Sequence, residues 1–185
     1  MLRHWPLYLS LFLLTHCRHR KRDDPQPEPP KAPLSLLPPE TQTGAGTFGC
    51  LVNGQAYLTR TSIKCSGNLQ GFNVLYVSAD CSADGTFSGE VFSTGLLLAG
   101  ILENGQSFPL VEFNKPVDMT RNQFVADANR TQCGYRGNFI KTGRVELVKF
   151  DGVRRIAAGR FAFTLYEPGG CDTLRVTNGR FDVKF

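Results

Sequence analysis

Three oxygen-bearing side chains stand at alternate positions of DCSADG: Asp80, Ser82 and Asp84, followed at once by Gly85. A calcium loop begins this way, with ligands at its first, third and fifth positions and a glycine at the sixth for the sharp turn. The closing acid is out of step, because Val91 stands at position twelve and Glu90 one residue early. Asp80, Ser82 and Asp84 are therefore a weak calcium candidate, and a polar turn that holds a cysteine is the plainer reading. No cofactor and no other metal site is expected.

Histidine chemistry is absent from most of the chain. The histidines are His4, His16 and His19, so residues 47–185 contain none. That excludes, within those residues, histidine general bases, Ser–His and Cys–His nucleophilic pairs and histidine-ligated zinc. Two carboxylates suffice for glycoside hydrolysis, so that enzymatic route stays open. The acids are scattered and no pair stands out, so no catalytic residue is assigned and the chain is not expected to be an enzyme.

Cys17 follows an apolar run from Trp5 to Leu14, which Arg3 and His4 precede. A membrane-crossing helix needs about 20 apolar residues, and this run has the length of a signal-peptide core instead. Leu14-Thr15-His16-Cys17 resembles the processing signal of bacterial lipoproteins, with His16 where a small residue is usual. In that scheme residues 1–16 are removed and Cys17 carries the lipid. An ordinary secretory signal and an uncleaved anchor are the alternatives. Arg18, Arg20, Lys21 and Arg22 would lie at the headgroups and attract anionic lipid.

A proline-rich stretch comes next. Seven of the eleven prolines fall between Pro25 and Pro39. Proline fixes φ and removes a hydrogen-bond donor, so residues 17–46 are expected to be a disordered, extended tether. Its 29 residues after Cys17 would reach about 90 Å. The formal charge of +5 is divided between the two parts, and residues 47–185 hold fifteen Lys/Arg against twelve Asp/Glu. A nucleic-acid reader would show a dense basic cluster, so no nucleic-acid partner is expected.

Residues 47–185 read as one all-β domain, an antiparallel β-sandwich or meander barrel. Asn53-Gly54 and Asn178-Gly179 each sit between β-prone runs, and Asn-Gly accepts the positive φ of a type I′ hairpin turn. Phe181, Val183 and Phe185 alternate with Arg180, Asp182 and Lys184, which predicts a strand buried on one side. Phe161, Phe163 and Leu165 alternate likewise with Arg160, Ala162 and Thr164. Further strands are expected over 73–78, 86–92, 96–102, 107–113, 123–126 and 144–150, with thirteen phenylalanines to supply the core.

The blocks TQTGAGTFGCLVNGQAYL and GRVELVKFDGVRRIAAGRFAFTLYEPGGCDTLRVTNGRFDVKF resemble an uncharacterised lipoprotein family of the Bacteroidota, a domain of unknown function. That family looks like a leader, a lipid-accepting cysteine, a proline-rich spacer, a TFGC.VNG start and a GRFD hairpin at the end. The resemblance implies a periplasmic or surface lipoprotein of the outer membrane and carries over no catalytic residue.

Export bears on the other cysteines. Cys50, Cys65, Cys81, Cys133 and Cys171 show no CxxC spacing, and an exported chain is expected to form at least one disulfide. Their spacing does not choose the pairs; Cys50 and Cys171 are one candidate pair. The expectation is a lipid-anchored, non-enzymatic binding or envelope-structure module, with an envelope protein or a glycan as its ligand. The rivals are a histidine-independent carboxylate hydrolase acting on glycans and a calcium-stabilised, adhesion-like domain.

Overall fold

The computed structural model describes residues 32–59, 65–71, 73–83, 90–112, 116–118, 120–130, 132–137, 139–168, 171 and 173–185. The leader, Cys17, Asp84 and the Asp84-Gly85 turn lie outside them. A short 3-10 helix, Pro33–Leu36, precedes eleven strands: β1 (Thr47–Val52), β2 (Gln55–Thr59), β3 (Ser66–Gln70), β4 (Val74–Ser82), β5 (Val91–Ala99), β6 (Gln106–Pro109), β7 (Gln123–Arg130), β8 (Cys133–Tyr135), β9 (Ile140–Asp151), β10 (Ile156–Leu165) and β11 (Leu174–Lys184).

These strands form one antiparallel sheet in the order β6-β9-β10-β11-β1-β2-β4-β5-β7-β8, and β3 also pairs with β4. The sheet curls on itself: Leu110, just past β6, bridges Phe124 in β7, and the Val111 N–H donates to the Phe124 carbonyl at 2.9 Å. β2 and β4 share only two residue pairs, Leu58 with Ser82 and Thr59 with Cys81. That seam is braced from the side. The Tyr57 hydroxyl of β2 donates to Glu90 at 2.8 Å, and Arg130 of β7 donates to the same carboxylate at 3.0 and 3.4 Å.

Aromatic side chains fill the interior. Phe48, Tyr57, Phe92, Phe108 and Phe124 are completely buried. Phe161 stacks on Phe163 and Phe181, with centroids 6.1 and 6.4 Å apart. Each such side chain removes 150–250 Å² of mostly apolar surface from water, so these rings dominate the energetics of the core. Ala126 and Ala128 on the inward face of β7 keep space for them.

The Asn53-Gly54 hairpin forms as expected. Val52 pairs with Gln55, and the two loop residues take φ of 49° and 87°. Asn178-Gly179 does not turn the chain. β11 runs straight through it, and the register against both β10 and β1 slips there, so the pair is a β-bulge. Asn178 takes the positive φ, 51°, that lets one strand hold an extra residue between two neighbours. The same dipeptide turns only where the flanking runs can pair with each other, whereas here β1 and β10 already take both edges of β11.

Several strand expectations also change: β4 and β7 run on to Ser82 and Arg130 where ends at 78 and 126 were expected, and β6 stops at Pro109, short of 113. β5 is continuous from Val91 to Ala99 where a break was expected, because Gly95 lies in the pleat and does not end it. β3 and β8 lacked a readable signal: SGNLQ and CGY are short, polar and glycine-bearing.

The disulfide joins Cys133 in β8 to Cys171 in the β10–β11 connection, with Cα atoms 5.9 Å apart. The Cys50–Cys171 pair is thereby corrected. Cys50 points from β1 into the core and is completely buried, whereas Cys171 lies at the partly buried edge beside β8.

The tether boundary shifts as well. Asp182 was expected on the solvent side of β11, yet it is 1% exposed beneath residues 41–45. Its carboxylate accepts hydrogen bonds from the Thr41 hydroxyl at 2.7 Å and from the Thr43, Gly44 and Ala45 amides at 3.0, 2.7 and 3.1 Å. Upstream, Arg160 pairs with Glu40 at 2.6 Å, Arg180 donates to the Pro38 carbonyl at 2.8 Å, and Leu37 is buried. Proline-rich sequence builds no core of its own, but it lies here as a strap on one that β1 and β11 already provide.

Candidate functional site

Alternation along β4 turns Tyr76, Ser78 and Asp80 outward, and the facing strands add Ser66 from β3 and Asp127 and Asn129 from β7. Together they line an open groove of about 230 Å³ on the outer face of the sheet. The register explains why a groove forms. Gly95 of β5 pairs with Ser78 on one side and Asp127 on the other. A β-carbon there would stand 2.5 Å from the Tyr76 hydroxyl and would also meet the Asp127 carboxylate. The missing side chain lets a phenol and a carboxyl lean over β5 from opposite strands.

The groove is rich in donors and acceptors. Ser66 and Ser78 share a hydrogen bond at 2.8 Å, which joins β3 to β4 at its rim. Burial pushes the Asp127 carboxyl above the usual carboxylate range, while a bond to its own backbone amide opposes the shift in part. Burial, and then the Asp127 charge, raise the Tyr76 phenol. Asp80 lies two strands and two residues away from Asp127, which places the Cα atoms about 12 Å apart at normal strand spacings.

Of the calcium candidate, Asp80 and Ser82 are among the described residues. Asp80 and Ser82 belong to β4, where an extended backbone sets their Cα atoms about 7 Å apart along a line. A calcium loop wraps its ligands around one point. Asp84 lies outside the described residues, and among those residues no group of three or more His, Cys, Asp and Glu is placed to hold a metal ion. Asp80 instead joins the groove, and Ser82 is completely buried.

Cys50, Cys65 and Cys81 are buried and outside any disulfide. Burial, with Cys81 as neighbour, raises the Cys50 and Cys65 thiols well above their ordinary range, which suits packing and not nucleophilic attack.

Sequence reasoning missed Tyr76 and Asp127. The available signal is the outward alternation Tyr76-Ser78-Asp80, which starts within the strand expected over 73–78 and continues in β4 to Ser82. Comparison of the chain with protein-family models, with curated proteins and with solved structures gave no match.

Proposed function

We propose that the chain is an exported lipoprotein, anchored through Cys17, whose all-β domain binds a hydroxyl-rich envelope ligand such as a glycan segment without converting it. The observation that carries this reading is the groove across β3, β4, β5 and β7, which is walled by hydroxyls, an amide and two carboxyls. Such groups can exchange their hydrogen bonds to water for hydrogen bonds to sugar hydroxyls, directly or through a bridging water. The core beneath is packed with aromatic rings, so a ligand meets the domain on its outer faces. The Cys133–Cys171 bridge supports a compartment that permits disulfides.

The leader supplies the address. More than one acyl chain on Cys17 makes a stable anchor. Because the strap is docked, the free tether is shorter than the proline content suggests. Residues 18–31 would reach about 45 Å as polyproline II.

Full-length protein in detergent, titrated with polysaccharide fractions of the cell envelope, tests the reading. Binding that Tyr76→Ala and Asp127→Ala each weaken, with no new reducing ends released, is the expected result. A second reading has its own observation, since Asp80 and Asp127 share the groove. Release of reducing ends that Asp127→Asn abolishes would replace the binding reading with a carboxylate hydrolase.

A further inference from the structure

A second trough, of about 400 Å³, lies on the outer face of β9, β10 and β11. Arg144 and Arg175 line it together with Thr142, Thr164 and Thr177, and Ala162 forms the low floor. No acidic side chain is among its lining residues. Register sets the geometry: Arg144 faces Ala162 across β9 and β10, while Thr142 and Arg175 flank Thr164 from either side. The two arginines thus stand two strands and two residues apart, with Cα atoms about 12 Å from each other. Their long side chains can close on one anion above the Ala162 methyl.

Arg144 and Ala162 also border an adjoining hollow, toward the other end of the face, that Glu40 and Glu146 line. Glu40 pairs with Arg160 at 2.6 Å, and Glu146 stands directly opposite Arg160 in the ladder. Arg180 is held by the Pro38 carbonyl. Among the described residues, neither the Arg144 nor the Arg175 guanidinium has an ion-pair or hydrogen-bond partner. A guanidinium fork matches a carboxylate or sulfate with two parallel hydrogen bonds. The threonines add hydroxyls that both donate and accept, which a bare anion would not use and a sugar ring would. Phe163, the aromatic residue of the lining, is buried and offers no face for a base to stack on, so two cations here are a poor match for a nucleic-acid strand.

We propose that this trough binds an acidic glycan, its carboxylate or sulfate held between Arg144 and Arg175 and its ring hydroxyls on Thr142, Thr164 and Thr177. The site lies on other strands of the sheet than the Tyr76–Asp127 groove, shares no lining residue with it and does not depend on it.

Immobilised full-length protein is titrated with polygalacturonate, dextran sulfate, neutral dextran, inorganic sulfate, a 20-mer oligonucleotide and vesicles of anionic phospholipid. The acidic polysaccharides should bind at least about tenfold tighter than every other probe, and R144A/R175A should lose at least about tenfold, as removal of charge-assisted contacts does. R154A/R155A removes the same charge from the exposed turn between β9 and β10 and should leave binding unchanged. Equal melting temperatures for the two double variants exclude misfolding, since all four arginines are exposed. An equal loss in R154A/R155A, equally tight binding of the oligonucleotide, the vesicles or free sulfate, or no binding of either acidic polysaccharide would overturn the proposal.

Discussion

The ring of Phe161 in β10 lies flat over Gly179 in β11, so that a β-carbon on Gly179 would fall inside the ring's contact surface. The bulge at Asn178 and the aromatic core are therefore one device: the glycine admits the ring, and the ring stacks on into Phe163 and Phe181. Gly179→Ala is expected to destabilise the domain by about 2–3 kcal/mol through overpacking. Urea unfolding checks this. Adding Phe161→Leu should recover part of the loss. If Gly179→Ala is harmless, the ring is not confined there.

Asp182 ties the strap to the sheet. Burial alone would raise its pKa, but the Thr41 hydroxyl and the Thr43, Ala45 and Gly44 amides outweigh burial and hold the carboxyl below its ordinary range. A depressed folded-state pKa gives stability that is fully present above the unfolded value, near 3.9, and is lost as pH falls through the folded value. Asp182→Asn presents N–H groups to N–H donors and should cost about 2–3 kcal/mol at pH 7. Thermal melts should show the gap between wild type and variant closing toward pH 2. A gap independent of pH would contradict the role of the charge.

Asp127 has the opposite sign. Its raised folded-state pKa means that the unfolded chain ionises first, so wild-type stability falls as pH rises from about 4 through the folded value. Asp127→Asn should lack that fall and be equal or more stable at pH 7, by no more than about 1 kcal/mol because the group is only half buried. A clear loss of stability in the variant would show that the carboxylate is held by partners of its own.

The Cys133–Cys171 bridge closes a loop over a separation of 38 residues. Removing it in Cys133→Ser/Cys171→Ser should cost about 3–4 kcal/mol on the loop-entropy estimate. The native protein should resist maleimide at Cys50, Cys65 and Cys81 until it unfolds, which peptide mass mapping reads directly. Rapid native labelling of Cys50 would contradict its burial.

Alternation made β10 and β11 readable, because a sheet with one wet face writes its burial as period two. The Asn53-Gly54 turn was readable for a local reason, since both residues must take positive φ. Asn178-Gly179 carries the same local signal, and what separates bulge from turn is the pairing of both edges of β11 with strands distant in sequence. Asp182 could not be placed for the same reason: its buried partners lie about 140 positions earlier, in a stretch whose prolines suggest a free tether. The groove depends on Gly95 standing between Tyr76 and Asp127, a coincidence of register across three strands that no single strand records.

Intact mass of the chain purified from the membranes of its own host tests the centre of this account. Acyl groups on Cys17, the loss of residues 1–16 and one intramolecular disulfide between Cys133 and Cys171 are the predicted result. A full-length chain with an unmodified Cys17 thiol, or a mature N-terminus elsewhere, would contradict the anchored lipoprotein.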